Sequence, residues 1–317
     1  MINSTFQVLF KSFFHDKYTF EQFQNIDIKQ EINLFDFNGT AVLNPSIKLR
    51  DFQKFISVAL LNKLILNKRV CHSYQKDKNI LTSLYLHKDS KYYLTTDIQN
   101  FFGSIQKKHI QQIIKSNLHN YTSTDAENYL ESILNILVYD DKLPIGFLTS
   151  PILSNAFLYK LDNELEQYCI NEKINYTRYA DDLIFSSNDR ESLLNLLEYL
   201  KIKINMNYDL KIKINTKKTK LVSKSSSVKI LGLNITSDGY ITIDTKMKKD
   251  IEVLFHFYKT NRNKYKDILN NKFEGRIGRV FGMMSYINGV DINFMNHLRK
   301  KYGNFIVDSF LHRSING

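Results

Sequence analysis

"YTRYADDLIFSS", residues 176–187, sets two adjacent aspartates, Asp181 and Asp182, between two strand-like runs. Two readings compete for them. A pair of aspartates is ordinary turn chemistry, because the Asp side chain bonds its own backbone and tolerates tight bends. The same pair at a hairpin tip could hold metal ions, since a tight turn lets consecutive side chains escape strict alternation. The chain carries its own comparison in "VYDDKLP", residues 138–144, with Tyr139, Asp140 and Asp141. That second pair lies between a long helical pattern and a Pro-Gly loop. Lys142 follows it directly, a poor neighbour for a cation, and it reads as a solvated helix terminus. "INYTRY" and "LIFSS", by contrast, flank Asp181-Asp182 as strand–turn–strand.

Working outward, "KYYLTTDIQNFF" (91–102) reads as a strand ending in a carboxylate. Tyr93, Thr95 and Asp97 share one of its faces by period two. "LPIGFLTSP" (143–151) is a loop running into "ILSNAFLYKLDNELEQY", where Leu153, Phe157, Leu161 and Leu165 recur every four residues. Ser150 fits an N-cap and Pro151 a first helical position. Residues 105–138 look like two helices. Asn188 with Glu191 opens another over 188–204, close to a capping box. "LKIKINTKKTKLV" (210–222) returns a strand, and "VKILGLNITSDGYITID" (228–244) reads as a hairpin about Asp238-Gly239. Residues 4–26, with Phe6, Leu9, Phe10, Phe13 and Phe14, read as one amphipathic helix. "FNGTAVLNP" is a short strand and turn, and residues 46–66 a strong helix. The alternation predicts an α+β palm-like unit, an antiparallel sheet backed by helices, followed by a basic helical domain from residue 246.

Bulk numbers bound the function. The 317 residues suffice for two or three packed substructures. Hydrophobic residues at 43% and charged residues at 24% are ordinary for a globular protein, and three prolines argue against disorder. The net charge of +12 suggests a polyanionic partner, although a solvated basic surface would look the same. Residues 241–317 hold fourteen Lys/Arg against seven Asp/Glu, so more than half the excess lies in the last quarter. Cys71 and Cys169 form no CxxC pattern, giving neither a zinc site nor a disulfide framework, and fit a reducing cytoplasm. No leader or membrane-spanning stretch is read; "VALLNKLIL" is too short and broken.

The ordered segments together resemble the boxes of reverse transcriptases, particularly the bacterial retron and group II intron kinds. "YADD" (179–182) is similar to their catalytic box, and "LTTDIQNFFGSI" (94–105) to the box holding the first aspartate. "LPIGFLTSPILSN" (143–155) resembles the loop and helix that hold template and nucleotide. "INTKKTKL" (214–221) resembles the Asn-x-x-Lys-Thr box through Asn215, Lys218 and Thr219, and "VKILGLNI" (228–235) the primer-grip hairpin. "VCHSYQKDKNI" (70–80) resembles the fingers segment, and "GRIGRVFGMMSYI" (275–287) falls at a thumb helix. Order and spacing agree over roughly residues 45–300.

The resemblance implies a right-hand polymerase: an N-terminal helix and fingers over 1–90, a ferredoxin-like palm with part of the fingers over 91–240, and a thumb over 241–317. It implies RNA-directed DNA synthesis from dNTPs, with a structured noncoding RNA as template and partner and cDNA as product. Asp97, Asp181 and Asp182 would bind two Mg²⁺ ions, with Mn²⁺ as substitute; such ions sit about 4 Å apart in two-metal sites. Lys218 would protonate the departing pyrophosphate; alone it reads as a solvated lysine. Phe102 would lie beneath the sugar and exclude a 2′-hydroxyl, or, beside Phe101, serve as a core ring. Lys76 and Lys78 would approach the triphosphate, or be plain surface charge. Gly146, Thr149 and Ser150 would admit the nucleotide backbone-close, or be a capped turn. Asn215, Leu231 and Gly232 match primer-grip and template positions.

Three places depart from the family pattern. Ile145, Phe147 and Leu148 stand where Gln, Ala and Pro are usual, which sets a bulky ring near the nucleotide. "SLYLH" (83–87) keeps only His87 of an Asn-Ala-x-x-His signature, and Ile230-Leu231-Gly232 replaces Val-Thr-Gly. A related defence enzyme making repetitive or untemplated DNA is therefore one alternative. An inactive RNA-binding scaffold and a metal nuclease on the same carboxylates are others. A bacterial anti-phage role with a separately encoded effector follows from family analogy alone; the oligomeric state is left open.

Overall fold

Phenylalanine organises the start of the chain. The computed structural model describes residues 5–37, 39–121, 123–207 and 212–313; Ser4, in the helix expected over 4–26, lies outside them. That helix is in fact two, α1 (Phe6–Phe14) and α2 (Phe20–Gln24). His15 and Asp16 take positive φ and end the first. Thr19 and Gln22 close a capping box that starts the second. Both helices pack on α3 (Ile47–Ala59), where the rings of Phe6 and Phe10 lie 5.1 and 5.2 Å from that of Phe55. Before α3, β1 (Ile32–Phe37) and β2 (Thr40–Pro45) form an antiparallel hairpin. Ser46 caps α3, which stops at Ala59, short of the expected end; Leu60 and Leu64 beyond it are still buried.

The chain continues through α4 (Ile80–Tyr85), β3 (Tyr92–Asp97), α5 (Phe101–Ser104), α6 (Lys107–Ser116) and α7 (Leu130–Leu137). The helix expected after the 143–151 loop breaks at Leu158 into α8 (Ser150–Phe157) and α9 (Tyr159–Asn171), with Thr149 as N-cap one residue ahead of the expected Ser150. β4 (Asn175–Tyr179) and β5 (Asp182–Ser187) follow as the expected hairpin. α10 (Arg190–Asn207) is capped by Asp189, not Asn188: its carboxylate accepts the amides of Glu191 and Ser192 at 3.2 and 3.0 Å. Of the strand expected over 210–222, Leu210 and Lys211 lie outside the described residues. Ile214 makes one bridge to Ile98, and β6 (Lys220–Ser223) forms after a turn.

β7 (Ser227–Ile230), β8 (Leu233–Thr236) and β9 (Ile241–Ile243) make a three-stranded antiparallel sheet. The expected single hairpin is thus a meander with a further turn at Leu231-Gly232, both at positive φ. Five helices follow among the described residues: α11 (Thr245–Thr260), α12 (Arg262–Phe273), α13 (Ile277–Val290), α14 (Ile292–Tyr302) and α15 (Asn304–Leu311).

The residues gather into two compact units. One comprises 1–79 and 92–221, the other 80–91 and 222–317. The first is built on the sheet strands β4, β5 and β3, with β5 central and antiparallel to both neighbours. Leu94, Leu183 and Phe185 face its buried side among Leu161, Leu165 and Leu196. The second buries Val228, Leu233 and Ile243 of its small sheet and, from its helices, Leu254, Phe255, Met284, Leu298 and Phe310. Among the described residues no helix is long and apolar enough to cross a membrane.

Candidate active site

Register brings the three acids together. β3 and β5 run antiparallel with Asp97 directly opposite Asp182. Directly opposed residues of a pair share a face, with Cβ atoms about 5 Å apart. Asp181 is in the two-residue turn between β4 and β5, and its carbonyl accepts the Ile98 amide at 3.1 Å, holding the turn against the end of β3. Of the two turn residues only Ala180 has positive φ, at 55°. A short loop supplies the cation. The Asn215 amide donates to the Asp97 carbonyl at 2.9 Å, and the Asn215 carbonyl accepts the amides of Lys218 and Thr219, both at 3.0 Å. Lys218 Nζ thereby reaches Asp97 Oδ2 at 2.8 Å. The Thr96 and Thr219 hydroxyls, 2.7 Å apart, fix the same loop to β3.

Burial and like charge act together on these carboxyls. Burial first, then the charges of Asp181 and Asp97, push the Asp182 carboxyl up to about 6. Burial, and then Asp97, also raise Asp181, while the hydrogen bond to Asp97 raises the Lys218 ammonium. Asp97 Oδ1 is buried with no hydrogen-bond partner among the described residues. Such a donor set, all carboxylate oxygen with one lone pair left unmet, fits a hard divalent cation. Among the described residues no three His, Cys, Asp or Glu side chains stand as a finished metal cage.

The comparison pair behaves differently. Asp140 and Asp141 are exposed and both have positive φ, 46° and 61°. Tyr139 and Lys142 exchange backbone hydrogen bonds across them at 3.0 and 3.1 Å, closing a two-residue turn just past α7.

The remaining expected site residues are dispersed in character. Phe102 is half-buried on α5, its ring 5.6 Å from that of Phe101. Lys76 is exposed; Lys78 Nζ instead bonds backbone carbonyls of Lys68, Arg69 and Cys71. Thr149 and Ser150 are buried, and the Ser150 hydroxyl donates to the Pro144 carbonyl at 2.6 Å. Gly146 has φ +107°, and a Cβ there would lie 2.0 Å from the Leu43 carbonyl oxygen, so β2 itself fills that space. Phe147 corrects an expectation: its ring is in the core, and Ile145 and Leu148 are the exposed members of the loop. Leu231 and Gly232 form the β7–β8 turn of the second unit.

Sequence reading passed over Gln53, buried on α3, whose Oε1 accepts the Leu148 amide at 3.3 Å. It also passed over Arg178, inside the hairpin stretch itself. A charged residue in phase with buried Tyr176 was the available signal, since a buried guanidinium requires an acid.

Residues 41–235 match the family model described as reverse transcriptase (RNA-dependent DNA polymerase). The chain belongs to the reverse transcriptase family. Its resemblance within that family is to retron enzymes, as the sequence boxes led one to expect, and it is an RNA-directed DNA polymerase of that kind. It is 31% identical over 272 residues to the retron Ec73 reverse transcriptase of Escherichia coli, covering 82% of each chain. To the retron Ec83 reverse transcriptase of the same organism it is 28% identical over 246 residues, 75% of this chain and 74% of that one. Among solved structures, telomerase from Candida albicans superposes with a TM-score of 0.51 at 14% identity, covering 87% of this chain and 54% of the telomerase. Apo telomerase from Candida tropicalis gives 0.51 at 12%, covering 81% and 58%. This chain spans little more than half of those telomerases, and the likeness shows the polymerase fold alone.

Proposed function

We propose that the enzyme copies a structured noncoding RNA, held as a stable partner, into DNA by nucleotidyl transfer at Asp97, Asp181 and Asp182. The observation that carries this is the Asp97–Asp182 register with Asp181 in the adjoining turn and Lys218 on Asp97. The three carboxylates would hold two divalent cations, Mg²⁺ with Mn²⁺ as substitute. When bound, such ions activate the attacking hydroxyl and neutralise the triphosphate and leaving oxygen. The chain's part is placement. β3 and β5 fix two carboxylates on a rigid edge, and the 215–218 loop keeps a protonated ammonium beside them, ready to donate to the leaving pyrophosphate. Phe102, one turn beyond Asp97, is the side chain we assign to the sugar edge. Lys76 is the exposed finger cation we assign to the triphosphate; the carbonyl bonds of Lys78 argue for a structural part there.

In this reading the fingers span 1–90, the palm 91–240 with Leu231-Gly232 as its primer-grip turn, and the thumb 241–317; the second compact unit takes in the thumb together with residues 80–91 and 222–240. Two free buried thiols, Cys71 and Cys169, support a reducing cytoplasm. A separately encoded effector and an anti-phage role belong to this reading by family analogy alone.

The test is purified protein with Mg²⁺ and labelled dNTPs, followed by sequencing of the co-purified nucleic acid. A defined RNA joined to its DNA copy is expected. Activity that persists in Asp181→Ala with Asp182→Ala would sink the site assignment. Repeat-sequence DNA made without a template would favour the alternative that exposed Ile145 and Leu148 raise.

A further inference from the structure

One charged side chain of the carboxylate hairpin faces away from the carboxylates. Across β4 and β5, Tyr179 pairs with Asp182 and Arg178 with Leu183, so Arg178 lies on the helix-covered side. It is fully buried. Its Nε and Nη2 fork onto Asp162 of α9 at 2.8 and 2.6 Å, and its Nη1 donates to Asn155 Oδ1 of α8 at 3.0 Å and to the Ala180 carbonyl at 2.9 Å. The Tyr176 hydroxyl donates to the same Asp162 at 2.9 Å. Asn155 Nδ2 donates onward to the Ser73 carbonyl at 3.0 Å. Backbone bonds close the circuit: Arg178 N to the Val70 carbonyl and His72 N to the Arg178 carbonyl, both 2.8 Å.

A buried ion pair is weak support for stability in itself, so its geometry invites another account. The acceptor Arg178 reaches is the carbonyl of Ala180, the turn residue held at φ +55°. Positive φ is costly for a residue with a Cβ and persists where surroundings over-determine it. The peptide that carries this carbonyl also carries the Asp181 amide. We propose that Arg178 is a positioning residue for nucleotidyl transfer. It fixes the angle at which Asp181 and Asp182 leave the turn, and Asn155 ties that angle to segment 70–73 and to the helix following the 143–149 loop. The inference rests on the carboxylates being the metal site, as proposed above.

Arg178→Lys keeps the charge but cannot span Asp162, Asn155 and Ala180 with one ammonium. Asn155→Ala leaves the Arg178–Asp162 pair in place and removes one link, and it serves if the lysine variant does not fold. On a primed RNA template, Arg178→Lys is expected to lower kcat at least tenfold with KM for dNTP within twofold. It should also weaken binding of Mn²⁺ alone to the purified protein, read by electron paramagnetic resonance. Asn155→Ala should shift both in the same direction by about threefold. Folded variants with wild-type kcat and Mn²⁺ affinity, or losses that track only the unfolded fraction, overturn the proposal. Indifference to Arg178→Lys alongside dependence on Asp181 and Asp182 overturns this inference alone.

Discussion

At the scale of the residue, two Asp-Asp pairs with nearly the same neighbours part company through backbone. Asp140 and Asp141 both occupy left-handed conformations at an exposed turn, where Asn is equally at ease. Replacing both by Asn should leave DNA synthesis within about twofold, whereas Asp181→Asn or Asp182→Asn should abolish it; steady-state dNTP incorporation separates the cases. Gly146 makes the same point about space. Its φ of +107° and the Leu43 carbonyl beside it exclude any side chain. Gly146→Ala is therefore expected to cost roughly 1–3 kcal/mol or to push the β1–β2 hairpin aside. A lowered denaturant midpoint, with faster proteolysis of the hairpin, is the outcome to look for.

At the scale of the element, segment 70–73 runs beside β4 and buries His72. Burial first, then the charge of Lys78, push the His72 imidazole down to about 4, against a smaller opposing bond from the Arg69 backbone. The folded state thus refuses a proton that the unfolded chain takes near 6.5. The associated stability is fully present above pH 6.5 and is lost as pH falls toward 4, up to roughly 3 kcal/mol at 1.36 per unit. Asp182, raised to about 6, acts with the opposite sign in the same range. His72→Gln should accordingly flatten the acid limb of the stability profile relative to wild type. Equal slopes for the two proteins between pH 6.5 and 4 would rule this out. Elements differ in how openly the sequence declares them. The acid-bearing strands were legible because period-two patterning and turn chemistry agree there. The breaks at His15–Asp16 and Leu158 were not, since Phe and Leu spacing continues through both. The β7–β8 turn was hidden because Leu231, at φ +49°, is no turn residue by composition. Asp97 and Asp182 could be suspected of meeting, but their register depends on pairing between residues 85 positions apart. The Arg178 network was invisible for the same reason: its partners come from two separate helices.

At the scale of the whole molecule, charge is divided unevenly. The unit made of residues 80–91 and 222–317 carries eighteen Lys/Arg against nine Asp/Glu, nine of the chain's twelve net positive charges. Much of the acid there is spent locally: Asp244 pairs with Lys229, Asp250 with Lys272, and Glu252 with Lys301. Exposed cations spread along the helices, Lys259 on α11, Lys266 on α12 and Lys300 on α14 among them. Contacts between such side chains and a phosphate backbone release counterions, so affinity falls with salt by a slope of about 0.7 per neutralised phosphate on a single strand. Lys259→Ala, Lys266→Ala and Lys300→Ala together should weaken RNA binding at every sequence tested. The slope of log affinity against log salt should become shallower by about 0.7 for each residue that touches a phosphate. Filter binding at several salt concentrations measures both effects. Since these substitutions leave the carboxylate hairpin untouched, the rate at saturating RNA and dNTP should stay close to wild type. An unchanged salt slope would place the RNA on another surface, and a lost rate at saturation would mean these helices do more than hold the template.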